Sequence, residues 1–194
     1  MAKEDKITID VFKVVTRSIA ESVDLAIMLN HLTQLLVAAL EIKGCSIFVL
    51  SLETEELEPL ASFGLSTSYL SKGPVKADKS LGCTLRGEPV IISDISRSDR
   101  LQYPEAAVQE GVAAIVSVPI FFLQEVIGVL RLYHHEPWDI SERDVDSLLI
   151  LGENIGLAMM FARLLNTVQT IREAVRDLPQ EFSRLLEIQD RPSE

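Results

Sequence analysis

The apolar residues of this chain change period twice, which by itself excludes an all-helical or an all-strand fold. Phe12, Val15 and Ile19 fall three and four apart, with Asp10 expected as the N-cap of a first amphipathic helix. Leu25, Met28, Leu29, Leu32, Leu35, Leu36 and Leu40 predict a second helix over 25–42 with a broad apolar face, Asp24 as its N-cap and Gly44 as its stop. The period then drops to that of strands. Cys45-Ser46-Ile47-Phe48-Val49-Leu50 and the stretch 57–63 read as a hairpin around the acidic turn 53–56. Residues 89–92 predict a third strand, and 112–122 with 126–134 a second hairpin. Between the strands lie a Lys72-Gly73-Pro74 turn and a short helical piece over 80–86 closed by Gly87. A small helix follows, with Pro104 in its first turn and Gly111 just past its end.

Helical spacing returns at the end. Ser141 with Asp144 three residues on resembles a capping box, and Ile140 with Val145 a hydrophobic staple. From there Leu157, Phe161, Leu164, Val168, Ile171, Val175, Leu178, Phe182 and Leu185 recur at alternating spacings of four and three, a heptad seam. Pro179 predicts a kink or break near Leu178, because a helical proline loses a hydrogen bond and clashes with the preceding turn. The seam has two readings: pairing with a second copy, joined by Phe12, Val15 and Ile19, or folding back on the first helix. Because 168–185 runs past the last strand, the homodimer is the favoured expectation, and Leu157 to Leu164 is left to the domain itself. The fold class that follows is α+β, organised as an N-terminal helix (1–23), a domain (24–165) and a helical extension (166–194).

Composition narrows the partners. The chain has 194 residues, 47% of them hydrophobic, enough for a sizeable core, with 18 basic against 29 acidic side chains for a net charge of −11. Such a field repels polyanions, so nucleic acid and anionic membrane surfaces are not expected as partners. The apolar run 113–123 falls short of the roughly 20 residues that cross a bilayer. The charged opening Met1-Ala2-Lys3-Glu4-Asp5-Lys6 shows no export signal, and Cys45 and Cys83 form no CxxC pair, so a cytoplasmic location is expected.

Several spaced motifs carry a resemblance. Gly87-Glu88-Pro89-Val90-Ile91-Ile92-Ser93-Asp94-Ile95 is followed by Asp99-Arg100-Leu101, Tyr103-Pro104-Glu105-Ala106-Ala107 and Glu110-Gly111-Val112. Val116-Ser117-Val118-Pro119-Ile120 and Glu125-Val126-Ile127-Gly128-Val129-Leu130 complete the order. Together they resemble the GAF domain family over about 24–165. The resemblance implies an antiparallel sheet of five or six strands, a helical bundle on one face, and short helices and loops over a pocket on the other. It implies a small-molecule-sensing or regulatory module of signal transduction, commonly dimeric through its flanking helices; with no room in these 194 residues for a kinase, cyclase or DNA-reading domain, output through a partner protein is expected. It names no ligand or cofactor for this chain. The Asn-Lys, Phe and Asp-Glu pattern of the cyclic-nucleotide binders is not found, and Asp94-Ile95 continues into Ser96 where the bilin binders have proline. The family's free methionine sulfoxide reductases place their catalytic cysteine just before the glycine that matches Gly82; here Leu81 stands there and Cys83 lies on the other side.

The candidate ligand-binding residues are Phe48, Phe63, Cys83, Asp94, Asp99, Arg100, Tyr103, Ser117 and Arg131; no catalytic or metal-binding residue is assigned. Cys83 reads either as a redox-responsive thiol or as a small apolar filler, the latter favoured for want of a nearby resolving cysteine. Asp94, Asp99, Arg100 and Tyr103 lie in the connection that covers the family's pocket; Arg100 suits a carboxylate or phosphate, yet turn capping explains the aspartates equally well. Phe48, Phe63, Ser117 and Arg131, with Ser46 and Tyr133, lie on strands where alternation sends about half toward any pocket. His134 and His135 sit at a strand end with no ligand cluster beside them and read as solvated. A pocket filled by Phe48, Phe63 and Tyr103 would instead mark a ligand-free dimerisation adaptor.

Overall fold

The computed structural model describes residues 6–21, 24–51, 56–73, 75–76 and 82–176. Helices α1 (Ile9–Glu21) and α2 (Leu25–Leu40) come first. Asp24 caps α2 as its spacing predicts, its carboxylate accepting from the Ile27 N–H at 2.9 Å and so satisfying one of the orphan donors of the first turn. Two boundaries differ from expectation. Asp10 is already inside α1, in an exposed ion pair with Lys13 one turn on. The stop of α2 is Glu41, in the left-handed region at φ 53°, and not Gly44. Gly44 instead opens strand β1, where a Cβ would come within 2.8 Å of Leu65.

Six strands form one antiparallel sheet among the described residues: β1 (Gly44–Leu50), β2 (Glu56–Phe63), β3 (Val75–Lys76), β4 (Val90–Ile92), β5 (Ala114–Phe122) and β6 (Glu125–His134). Their order is β3-β2-β1-β6-β5-β4. Alternation divides the sheet cleanly. Cys45 and Ile47 of β1, Val116 and Val118 of β5, and Leu130 and Leu132 of β6 point to the face covered by α1, α2 and the closing helix, where they build the main core with Val15, Leu32, Leu36 and Leu151. Each such aliphatic side chain contributes about 1.5–3 kcal/mol by leaving water, which makes this layer the principal source of stability. Short pieces cover the other face: α3 (Thr67–Leu70), α4 (Gly82–Leu85), a 3-10 turn (Ile95–Arg97) and α5 (Pro104–Glu110). Pro104 at the first turn of α5 and the left-handed Gly111 at its end occupy the positions predicted for them.

The closing helix α6 (Glu142–Arg176) is continuous across residues 165 and 166. Ser141 Oγ accepts from the Asp144 N–H at 3.0 Å, the first half of a capping box. The buried Asp144 carboxylate in turn receives the backbone N–H groups of Lys6 and Ile7 at 3.0 and 2.8 Å, tying the N-terminal chain to the root of α6. Leu148, Leu151, Ile155, Ala158 and Met159 bury one stripe of the helix in the main core. Its seating on β5 is close: a Cβ on Gly152 or Gly156 would stand 2.3 Å from Pro119 O or 2.0 Å from Phe121 O. By length and composition α6 would also suit a membrane crossing, but 44% of its most apolar window is buried in the fold.

The heptad seam lies on a different stripe. Leu157, Phe161, Leu164, Val168, Ile171 and Val175 are each between 49% and 63% exposed, so Leu157 to Leu164 does not serve the domain core as expected. Among the described residues the seam does not fold back on α1 either. Val15 is buried in the main core with Phe12 and Ile19 packed against it, so the apolar stripe of α1 is already used within the domain. Leu178, Pro179, Phe182 and Leu185, and with them the expected break, lie outside the described residues.

Candidate functional site

A polar row crosses the sheet on the face opposite the main core. Ser62 of β2 pairs with Ser46 of β1, Ser46 with Arg131 of β6, and Arg131 with Ser117 of β5. Residues directly opposite across antiparallel strands share a face, so four adjacent strands present one continuous line. Its members are joined: Ser46 and Ser62 hydroxyls lie 2.8 Å apart, and Arg131 Nε donates to Ser117 Oγ at 2.9 Å. The buried Tyr133 hydroxyl bonds both Ser46 and Arg131; burial pushes its pKa up, against the opposing pull of the Arg131 charge and those two hydrogen bonds. Arg131 is only 4% exposed. A guanidinium so buried needs partners to offset its desolvation, and the Ser117 and Tyr133 hydroxyls are among them.

The row separates two apolar clusters. On one side stand Tyr69, Val90, Ile92, Ile95, Ala107 and Ile115, and on the other Phe48, Leu57, Val75 and Val129. Helix α4 straddles the boundary, with Cys83 packed against the first cluster and Leu85 against the second. Between them in sequence, Thr84 is fully buried, and its hydroxyl has no hydrogen-bond partner. An unsatisfied buried hydroxyl costs about 1–3 kcal/mol, a strain the fold carries at this place.

Helices α3 and α5 bring a second cation. Tyr69 meets Tyr133 edge to face at 5.8 Å, and Lys72 Nζ sits 3.6 Å above the Tyr69 ring while donating to Tyr69 O at 2.9 Å. Burial first, and then the Arg131 charge, lower the Lys72 pKa from 10.5 to about 8, with Glu110 acting the other way. Glu110 is engaged elsewhere. It accepts from the Ser66 N–H at 2.9 Å and from the Ser66 hydroxyl and lies 3.6 Å from Lys43. Burial raises its pKa, but the Ser66 hydrogen bonds and Lys43 outweigh that and leave it lowered. This contact pins α5 to the start of α3.

Of the residues singled out in the sequence, Ser117 and Arg131 meet at the centre of the row, Phe48 lies in one flanking cluster and Cys83 on the covering helix. The others stand apart. Asp94 caps the 3-10 turn through Ser96 N–H and Oγ at 2.9 and 2.6 Å, which lower its pKa, and pairs with Arg97 rather than Arg100. Asp99 and Arg100 are exposed. Tyr103 is the N-cap of α5 and accepts from Gln102, with Lys72 Nζ 6.0 Å from its ring. Phe63 is 42% exposed and in register with Cys45, hence on the opposite face. Phe48, Phe63 and Tyr103 therefore do not fill one pocket together. Strand β6 ends at His134, so alternation stops there and the His134 and His135 rings stack at 4.6 Å; among the described residues no cluster could hold a metal. Tyr69, Lys72 and Thr84 escaped the sequence reading. Ser66 as a helix cap is the local signal for the element that carries Tyr69 and leads into the turn of Lys72.

Comparison with known proteins bears on this architecture. The family model described as GAF domain matches residues 22–160. No curated protein matches the chain. Among solved structures, the GAF domain of a phosphoenolpyruvate-protein phosphotransferase from Coxiella burnetii has a TM-score of 0.71 at 20% identity, covering 82% of this chain and 96% of that one. The free methionine-R-sulfoxide reductase of Neisseria meningitidis, solved with its substrate, has a TM-score of 0.67 at 16% identity, covering 84% and 98%. Residues 122 to 287 of a methyl-accepting chemotaxis protein have a TM-score of 0.63 at 21% identity, covering 78% and 98%. At these identities the likeness is one of fold.

Proposed function

The chain belongs to the GAF domain family, and from that premise we propose that it is a dimeric, small-molecule-sensing regulatory module of signal transduction, working in the cytoplasm through a partner protein. The observation that carries this reading is the buried Arg131 row between two apolar clusters, roofed by α3, α4 and α5. A surface that needed only to be covered would be filled with apolar side chains; a line of hydroxyls and a guanidinium suits a ligand. Signalling is supported by the company the fold keeps, phosphotransferase and chemotaxis proteins among its structural neighbours. The dimer is supported by the exposed seam of α6, a row of six large apolar residues at heptad spacing.

In this mechanism ligand occupancy orders the roof and shifts α6 through β5, and the ligand must bind one arrangement more tightly than the other. Hydrogen exchange across residues 82–110, compared between protein as purified and protein stripped of small molecules by refolding, is expected to show greater protection in the first. Identical protection would remove the basis of the switch. Light scattering is expected to give twice 21.5 kDa at micromolar concentration.

A second reading, a divergent sulfoxide reductase using Cys83, draws on the Neisseria neighbour and on Arg86 Nη2, which lies 3.1 Å from Cys83 Sγ. The placement of the thiols supports regulation instead. Cys45 is fully buried in the main core, where burial pushes its pKa far up, and Cys83 packs on the other side of the sheet, so neither can resolve the other. Reduction of free methionine sulfoxide that disappears in Cys83→Ser would overturn the regulatory choice.

A further inference from the structure

We propose that His134, Lys6 and Asp144 form a proton-sensitive latch: one proton taken up at Nδ1 of His134 loosens the hold of Asp144 on the N-terminal chain, which is tied to the root of α6 at neutral pH and freed on acidification. The inference concerns the helix-packed side of the sheet and stands apart from the sensor reading. His134 follows Leu130 and Leu132 on that face and is 4% exposed. Its ring stacks on His135 at 4.6 Å and tilts against Trp138 at 5.3 Å. The Asp144 carboxylate meanwhile takes the Lys6 and Ile7 N–H groups, one on each oxygen. That grip leaves the Lys6 ammonium 5.7 Å from the centroid of the Trp138 ring and 3.4 Å from His134 Nε2.

Both nitrogens of this ring meet donors, and a neutral imidazole has one lone pair to offer. His134 Nδ1 accepts from the Glu136 N–H at 3.0 Å, which assigns the single proton of the neutral ring to Nε2. Nε2–H then faces the Lys6 ammonium, donor against donor, so their approach is tolerated rather than bonded. A second proton can enter only at Nδ1. It takes the lone pair away from the Glu136 N–H and sets a full positive charge beside Lys6. The charged and titratable groups facing the ring are Lys6 from the N-terminal chain, His135 beside it and Glu136 in the following turn. Burial first, then Lys6 and His135, lower the His134 pKa from its ordinary 6.5, with Glu136 acting the other way. A group harder to protonate in place than when released favours release as pH falls, so the proton and the clasped Lys6 oppose each other. The two amides that Asp144 holds flank the Lys6 side chain, and a push on the ammonium is passed to the clasp. Ile7 is buried in the main core just ahead of α1, so loosening it changes how α1 and α6 are joined.

The test is an NMR titration of the full chain, labelled with carbon-13 and nitrogen-15, from about pH 7.5 to about pH 5. The His134 ring signals are expected to titrate with a midpoint below 6.5. The Lys6 and Ile7 amides are expected to lose their order with that same midpoint, read as a falling heteronuclear NOE. In Lys6→Met, a change at an exposed position, the ring midpoint should rise by about half a pH unit or more, and the Ile7 amide should no longer follow it. In His134→Gln both amides should stay ordered throughout the range. Amides that stay ordered while the wild-type ring titrates would show the ammonium swinging away by itself and would overturn the latch. Amides released at the same pH in His134→Gln would overturn it by placing the trigger elsewhere, and a wild-type ring still neutral at about pH 5 would remove the trigger altogether. Should His134→Gln fail to fold, Lys6→Met decides alone, because an unmoved ring midpoint there would mean that Lys6 does not press on His134.

Discussion

Arg131 and Ser117 show what a residue can and cannot disclose before the fold is known. Their types mark them as candidates, but alternation has a period of two and no visible phase, so neither side chain can be assigned to a face from its own strand. Register supplies the phase: Ser62, Ser46, Arg131 and Ser117 align across four strands, and the neighbours of Ser46, Arg131 and Ser117, with Ala61 beside Ser62, enter the main core. Lys72 was hidden more deeply, because the turn that holds it reaches Arg131 only once α3 is docked. It carries a pH prediction. The groups facing it are Arg131 on β6, Glu110 on α5 and Tyr69 on α3. With a folded pKa of about 8 against 10.5 in the open chain, the folded state binds fewer protons between those values. Folding stability should therefore rise with pH from 8 to 10 by more in the wild type than in Lys72→Met. Urea midpoints of the two proteins at pH 7.5 and 9.5 measure the difference; parallel shifts would show that Lys72 titrates as an ordinary surface lysine.

Helix α6 carries two apolar stripes, and only one was followed in the sequence. Heptad spacing from Leu157 is visible because it is regular and long, whereas the inner stripe of Leu148, Leu151, Ile155 and Met159 is interrupted by Gly152 and Gly156, which look like weaknesses in a helix. Contact with β5 explains them. In an exposed helix a change from glycine to alanine gains about 1 kcal/mol of propensity. At residue 156 the new Cβ would press on the Phe121 carbonyl at 2.0 Å, a backbone atom that no rotamer can move. Forcing the helix off the strand costs about 1–3 kcal/mol or more, so Gly156→Ala should be destabilised despite its propensity. A lower urea midpoint with an unchanged slope is the expected result. A midpoint at or above the wild type would mean that α6 does not sit on β5 this closely.

For the molecule as a whole, the same two strands serve both faces. Ser117 and Arg131 alternate with Val116, Val118, Leu130 and Leu132, so the candidate site and the helix-packed core are separated by one sheet thickness, and α6 rests on the β5 backbone itself. The net charge of −11 argues against extended polyanions, yet surface charges are screened beyond about 8 Å at physiological salt, so it says little about what the interior of the sheet can hold. Dimerisation decides how such a signal would leave the domain, and it has a thermodynamic signature. If the seam pairs with a second copy, folding is coupled to association and the wild-type melting temperature should climb as protein concentration rises. Ile171→Glu places a charge in the middle of the seam, at a position 58% exposed in the single chain. Within one chain such a surface change is worth at most about 0.5 kcal/mol either way. The variant should thus scatter light as a 21.5 kDa species and melt at one temperature across a hundredfold range of concentration, while the wild type does neither. A wild type whose melting is equally indifferent to concentration would leave the seam to a partner other than a second copy.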